Sequence, residues 1–111
     1  MRHPEHAAKL WPILVELAKG RQLETYGGIA LEMGLIAQGV SSALKPIHAY
    51  CLANNFPLLT ALVVRADSRR PGGGYRSAND HQTECERVFA HDWSTVRGPS
   101  ALDFAKAIAK N

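Results

Sequence analysis

At 111 residues, 46% hydrophobic and 21% charged, the chain has the content of one globular domain with a real core, which excludes wholesale disorder. No apolar run reaches the length of a membrane span; the longest, Phe56 to Val64, is interrupted by Pro57 and Thr60. The net charge of +3 is concentrated: residues 1–64 carry five basic and four acidic groups, residues 77–111 four basic and five acidic, and residues 65–76 four arginines against Asp67. The excess therefore sits in one glycine-rich segment holding Arg65, Arg69, Arg70 and Arg76. That is compatible with a phosphate-contacting loop on a neutral body, but charge alone favours a solvated loop whose arginines only confer solubility.

The start, Met1-Arg2-His3-Pro4-Glu5-His6, has no apolar block behind a basic residue, so no secretory signal is read. Cys51 and Cys85, without such a signal, read as free thiols in a reducing, cytoplasmic setting. The sequence predicts a single mainly α domain over residues 1–111 with a small β element, its core over about 7–90 and a C-terminal helix over about 100–110.

A first helix is expected over Ala7 to Lys19, with Leu10, Trp11, Leu14, Leu17 and Ala18 on one face. Pro12 places its start, or a restart, near Trp11, and Gly20 reads as a left-handed cap. Thr25 reads as the N-cap of a short helix over Tyr26 to Met33, with Ile29, Ala30 and Met33 inward and Gly34 as its stop. After a connection over Leu35 to Gln38, a third helix is expected over Gly39 to Leu44. Pro46 should kink it or begin a new segment over Ile47 to Asn54, with Ile47, Tyr50 and Cys51 inward. Leu58 to Arg65 is apolar and β-branched, and reads as a strand. The turn-rich Asp67 to Gly74 and a short return strand at Tyr75-Arg76 then complete the outline of a wing. Ser77 or Asn79 should cap a helix through Phe89. His91-Asp92-Trp93 reads as irregular, with Trp93 filling the core. A last helix over Ala101 to Lys110 should turn Leu102, Ala105 and Ile108 inward, with Phe104 beside them.

Thr25-Tyr26-Gly27-Gly28-Ile29-Ala30, followed by Ala37-Gln38-Gly39-Val40-Ser41-Ser42-Ala43-Leu44, resembles the DNA-binding domain of the alkylguanine-DNA alkyltransferases and alkyltransferase-like proteins. In that family a threonine or serine followed by tyrosine opens a helix-turn-helix, and an Ala-Arg-Ala-Val-Gly-type recognition helix follows. A Pro-Cys-His-Arg active-site strand and a glycine- and tyrosine-containing loop come later. The strand Pro57 to Val64 and the loop Gly73-Gly74-Tyr75 stand in that order here, so the resemblance spans about residues 10–76. It implies a helix-turn-helix or winged-helix-like fold and double-stranded DNA as partner. The departures argue against catalysis. Leu62 or a neighbour stands where the acceptor cysteine would be, and the following histidine and arginine are missing. Gln38 replaces the arginine that such proteins push into the base stack, and the helix Ile47 to Asn54 is extra. Without a thiolate and its base, alkyl transfer has no nucleophile.

The candidate DNA-contacting residues are Thr25, Tyr26, Gln38, Ser41, Ser42, Lys45, Arg65, Arg69, Arg70 and Arg76. Small and polar residues on the third helix permit close approach to base edges, while the Thr25 amides, the Tyr26 hydroxyl and the arginines suit phosphates. The alternative is a protein-interaction module on the same fold, of the size common among phage, mobile-element and defence proteins. A third reading, an enzyme, would rest on the Arg69–Gly74 loop and His91. That loop lacks the Lys-Ser/Thr ending of a nucleotide-binding P-loop. His48 with Cys51, and His81 with Cys85, are spaced to share helix faces, yet zinc needs three or four converging ligands and no Cys-x-x-Cys occurs. No metal, cofactor or membrane partner is expected.

Overall fold

The computed structural model describes residues 3–72, 77, 79–95 and 98–110. Five helices dominate: α1 (His3–Lys19), α2 (Tyr26–Met33), α3 (Ala37–Ala53), α4 (His81–Ala90) and α5 (Ala101–Lys110). Two short strands, β1 (Glu24–Thr25) and β2 (Val63–Val64), pair in parallel, and 3-10 turns span Leu59–Leu62 and Trp93–Thr95.

α1 starts at His3, four residues before the expected boundary, and Pro12 lies inside it rather than in its first turn. The proline ring faces solvent, while Ala7, Leu10, Trp11, Leu14 and Ala18 form a buried stripe that runs past it. Packing along that stripe outweighs the hydrogen bond the ring removes. The helix ends at Lys19, as expected, but its cap differs. Arg21, at φ 54°, is the left-handed residue in place of Gly20, and the Gln22 amide bonds back to the Leu17 carbonyl at 2.9 Å.

α2 has the expected ends. The Thr25 hydroxyl accepts from the Gly28 amide at 3.0 Å, and Gly34, at φ 71°, lets the Leu35 amide reach the Ala30 carbonyl at 2.8 Å. Gly34 to Ile36 join it to α3, and the chain bends by 96° between the two helices. α3 is a single helix through Pro46, so of the two outcomes expected there a new segment at Ile47 does not occur. Val40, Ala43, Leu44, Ile47 and Cys51 are buried on both sides of the proline, so one continuous apolar stripe runs past it. Asn55, at φ 58°, closes it, with the Phe56 amide on the Cys51 carbonyl at 2.9 Å.

The expected strand over Leu58 to Arg65 is mostly not a strand. Leu59–Leu62 is a 3-10 turn with all four residues buried, and only Val63–Val64 pair, with Glu24–Thr25. The buried backbone of this run is met by the turn and by a side chain: the Ala61 amide bonds the Leu58 carbonyl at 3.0 Å, and the Ala61 carbonyl lies 2.8 Å from His81 Nε2.

α5 packs against α1 and α3. It buries Phe104 and Ala107 and exposes Leu102, Ala105 and Ile108, the reverse of the expected face. Phe104 sets this rotation by entering an aromatic group in which Trp11 lies 5.7 Å from Tyr50 and 5.9 Å from both Trp93 and Phe104. Trp93 is core as expected, its indole N–H donating to the Val88 carbonyl at 2.9 Å. Among the described residues no single helix is long and apolar enough to cross a membrane. The bent pair α2–α3 carries enough apolar residues, but Ile29, Ala30, Val40 and Ile47 are spent on the core.

α4 is capped by Asp80, which accepts from the Thr83 amide at 2.7 Å, and not by Ser77 or Asn79. Those two side chains serve Glu84, which is 1% exposed. Its Oε2 accepts from the Leu58 amide at 2.8 Å, and its Oε1 from Asn79 at 2.8 Å, Arg87 at 2.9 Å and Ser77 at 3.3 Å. Burial pushes this carboxyl upward, but the Leu58, Asn79 and Arg87 hydrogen bonds and the arginine charge outweigh it and hold it below its ordinary 4.5.

Because the folded carboxyl is the stronger acid, its contribution to stability is complete above pH 4.5 and is lost as the pH falls through the folded value. Glu84→Gln should cost about 2–3 kcal/mol at neutral pH, since an amide turns a donor toward donors. It should also flatten the acid limb of stability against pH, which denaturant titrations from pH 7 to 3 would measure. A second site should behave oppositely. The Nε2 of His91 is buried with no partner among the described residues, its ring 4.4 Å from Trp93. His91→Phe should therefore stabilise by about 1 kcal/mol, read as a Tm increase of several degrees.

Candidate nucleic-acid interface

The parallel pair places Glu24 opposite Val63 and Thr25 opposite Val64. The residue after each strand therefore leaves the same edge: Tyr26 opens α2 and Arg65 opens the basic turn. That turn is closed by the Arg65 amide on the Arg70 carbonyl at 2.8 Å and the Arg69 amide on the Arg65 carbonyl at 2.9 Å. Arg69 sits at φ 56°, in the left-handed region that side chains other than glycine and asparagine enter at a cost. Arg65, Arg69 and Arg70 are all exposed, with Arg65 paired to Asp67 at 3.0 Å. Beyond Pro71, the Gly72 amide donates to the Tyr26 hydroxyl at 2.9 Å. Arg76, the expected return strand Tyr75-Arg76 and the glycines Gly73 and Gly74 lie outside the described residues.

On α3, Gln38, Ser41 and Lys45 are exposed at helical spacing and share the solvent face, while Ser42 is half-buried at its margin. The sequence-predicted residues thus fall into two groups: Thr25, Tyr26, Arg65, Arg69 and Arg70 along one edge, and Gln38, Ser41 and Lys45 on the helix packed behind α2. The roles of Thr25 and Tyr26 differ from those expected. Thr25 is half-buried and its hydroxyl is the helix cap. The Glu24 carboxylate accepts from the Thr25 amide at 2.8 Å and so occupies the anion-favouring end of α2. A Cβ at Gly28 would lie 2.4 Å from that carboxylate, so glycine there leaves it room.

The remaining chemical candidates are engaged. His48 bonds the Thr60 hydroxyl at 3.2 Å, and burial holds its pKa below the ordinary 6.5 against the opposing pull of Glu84. His81 and Cys85 do share a face, with Nε2 and Sγ 3.3 Å apart. The histidine nitrogen, however, is 2.8 Å from the Ala61 carbonyl, which only accepts, so that nitrogen carries a proton and is no base for the thiol. Burial, reinforced by Glu84 and Glu86, pushes Cys85 up to about 11, and burial pushes Cys51 up to about 12. Among the described residues no three His, Cys, Asp or Glu converge as a metal site. The Asp92 carboxylate accepts from the Ser94 amide at 3.1 Å, which makes His91-Asp92 part of a turn. A pocket of about 220 Å³ lies between α3 and α4, with Cys51, Leu58, Asn79, Glu84 and Arg87 in its wall.

Sequence reasoning missed Glu24, Gly72 and Glu84. Only Glu84 carried a signal: it falls among His81, Cys85 and Val88 on the inward stripe of α4, where a carboxylate needs partners. No family model matches the chain, and no curated protein or solved structure matches it.

Thiols this far from ionisation do not attack alkyl groups at neutral pH. Incubation with an oligonucleotide carrying O6-methylguanine should leave the intact-protein mass unchanged. A stoichiometric gain of one methyl group on Cys51 or Cys85 would overturn that expectation.

Proposed function

We propose that this chain is a non-catalytic DNA-binding module on an alkyltransferase-like, helix-turn-helix scaffold. In this reading α2 and α3 are the two helices of the motif, α3 lies in the major groove, and the turn Arg65–Arg70 rests on the flanking phosphates as a wing. The observation that carries the reading is the β1–β2 pairing. It brings the one concentration of positive charge in the sequence, some forty residues away, to the edge where α2 begins. The bend of 96° across a three-residue connection agrees with helix-turn-helix geometry. Ser41 supplies a small, polar position on the leading face, and Gln38 and Lys45 on either side of it have the length to reach base edges or phosphate. Glu24 is the feature that opposes binding, since it sets a negative charge beside the arginines. The reading therefore gives the phosphate contacts to the basic turn and none to the α2 N-terminus.

A second reading, as a protein-interaction module, is favoured by Leu31 on α2 and Ile36 in the α2–α3 connection, 86% and 72% exposed. In that case Leu31→Glu would abolish partner capture and leave DNA affinity at background.

Fluorescence polarisation with duplex DNA over a range of salt concentrations tests the first reading. Arg69→Gly is the useful variant, because glycine relieves the left-handed backbone while removing the charge, so the turn survives. Combined with Arg70→Ala, it should flatten the dependence of log affinity on log salt by about two and weaken binding to all sequences alike. Gln38→Ala should instead cost about 1–3 kcal/mol at preferred sites only, and Lys106→Ala, on α5, should change little. Wild-type protein without salt-dependent affinity for any duplex, or a double arginine variant that binds as well as wild type, would overturn the reading.

A further inference from the structure

The Tyr26 hydroxyl already accepts a hydrogen bond from within the chain, from the amide of Gly72, 46 residues away. We propose that Tyr26 is a positioning residue that latches the basic turn to the start of α2, and that it acts on nucleic acid only through Arg69 and Arg70. The inference rests on the DNA-binding reading above and assigns to Tyr26 a role different from direct phosphate contact.

Three features of the segment make the latch effective. The turn is internally rigid through its two backbone bonds between Arg65 and Arg69–Arg70, but those bonds fix its shape and not its direction. Direction is set by its two roots. One is the β1–β2 pair, which is only two residues long and holds the Arg65 end. The other is Gly72, which holds the Arg70 end. Between Arg70 and Gly72 stands Pro71, whose ring fixes its own φ and restricts the residue before it to extended conformations. With so few free dihedrals in between, holding the Gly72 amide holds the Arg70 backbone. Glycine is required at the contact itself, since a Cβ at position 72 would lie 2.7 Å from the tyrosine hydroxyl.

Two variants open the latch from opposite sides. Tyr26→Phe removes the acceptor and keeps the half-buried ring, and Gly72→Ala drives the hydroxyl away. Hydrogen exchange read by nitrogen–proton NMR should show the amide at position 72 protected in the wild type and unprotected in both variants, with thermal melts close to wild type. Duplex affinity should fall about three- to tenfold in each, the range expected for one net hydrogen bond. The double variant should be no worse than either single one, because phenylalanine leaves room for the methyl group.

The decisive arm repeats Tyr26→Phe in the Arg69→Gly, Arg70→Ala background. A positioning role predicts no further loss there, whereas direct contact predicts the same loss as in the wild type and overturns the proposal. Retained protection of Gly72 in Tyr26→Phe would show that the latch does not exist, whatever the DNA result. Absence of DNA affinity in the wild type would remove the DNA-binding reading together with the role given to Tyr26, even where Gly72 proves protected.

Discussion

The arrangement of this domain depends on one buried carboxylate. Glu84 projects from α4 into the interior and gathers the Leu58 amide, Ser77, Asn79 and Arg87 around its two oxygens. A buried charge is tolerable only when its lone pairs are met, so the site fixes all four partners at once. The Leu58 amide matters most, because it stands immediately before the buried turn Leu59–Leu62. From there the order is forced along the chain. The turn delivers Val63–Val64 to β1, the strand pair aims the arginine turn, and Tyr26 secures its far end. A defect at Glu84 would thus reach the exposed arginines through backbone geometry alone.

The same logic explains why the domain tolerates two prolines within helices. Pro12 and Pro46 each remove a backbone donor, at a cost of about 3 kcal/mol or more in an isolated helix. α1 and α3 pack on one another and on α5, and the apolar stripes of both helices continue past the prolines. The aromatic group around Trp11 draws on α1, α3 and α5 together with the turn holding Trp93, so the C-terminal helix belongs to the same core as the rest.

What could be read in the sequence was what local chemistry decides. Thr25 before Tyr26 and Gly34 after Met33 mark α2 because cap and stop act within a few residues, and Ala101 to Lys110 follows for similar reasons. What could not be read was whatever depends on partners far along the chain. Leu59–Leu62 has strand composition but is a 3-10 turn, and only the two residues after it pair among the described residues. α5 has two apolar faces, and the fit of Phe104 against Trp11 and Tyr50 chooses between them. Of the candidate interface, the exposed arginines and the α3 face were legible as residue types. Their arrangement was not, since it rests on a two-residue parallel pairing that no periodicity announces.

Glu24 shows how such an arrangement also limits function. A helix N-terminus attracts anions, and the sequence alone suggested a phosphate there. The chain supplies its own anion instead, one residue before the cap, and a glycine at position 28 makes space for it. The consequence is a division of charge along a single edge: a carboxylate at the root of α2, and three guanidinium groups on the turn beside it. A polyanion lying along that edge gains from the turn and loses near Glu24. Its most favourable path therefore bears on Arg69 and Arg70 and stands away from the helix end. In the DNA-binding reading proposed above, the position of the turn then counts together with its charge, and the contact of Tyr26 with Gly72 is the one that bears on position.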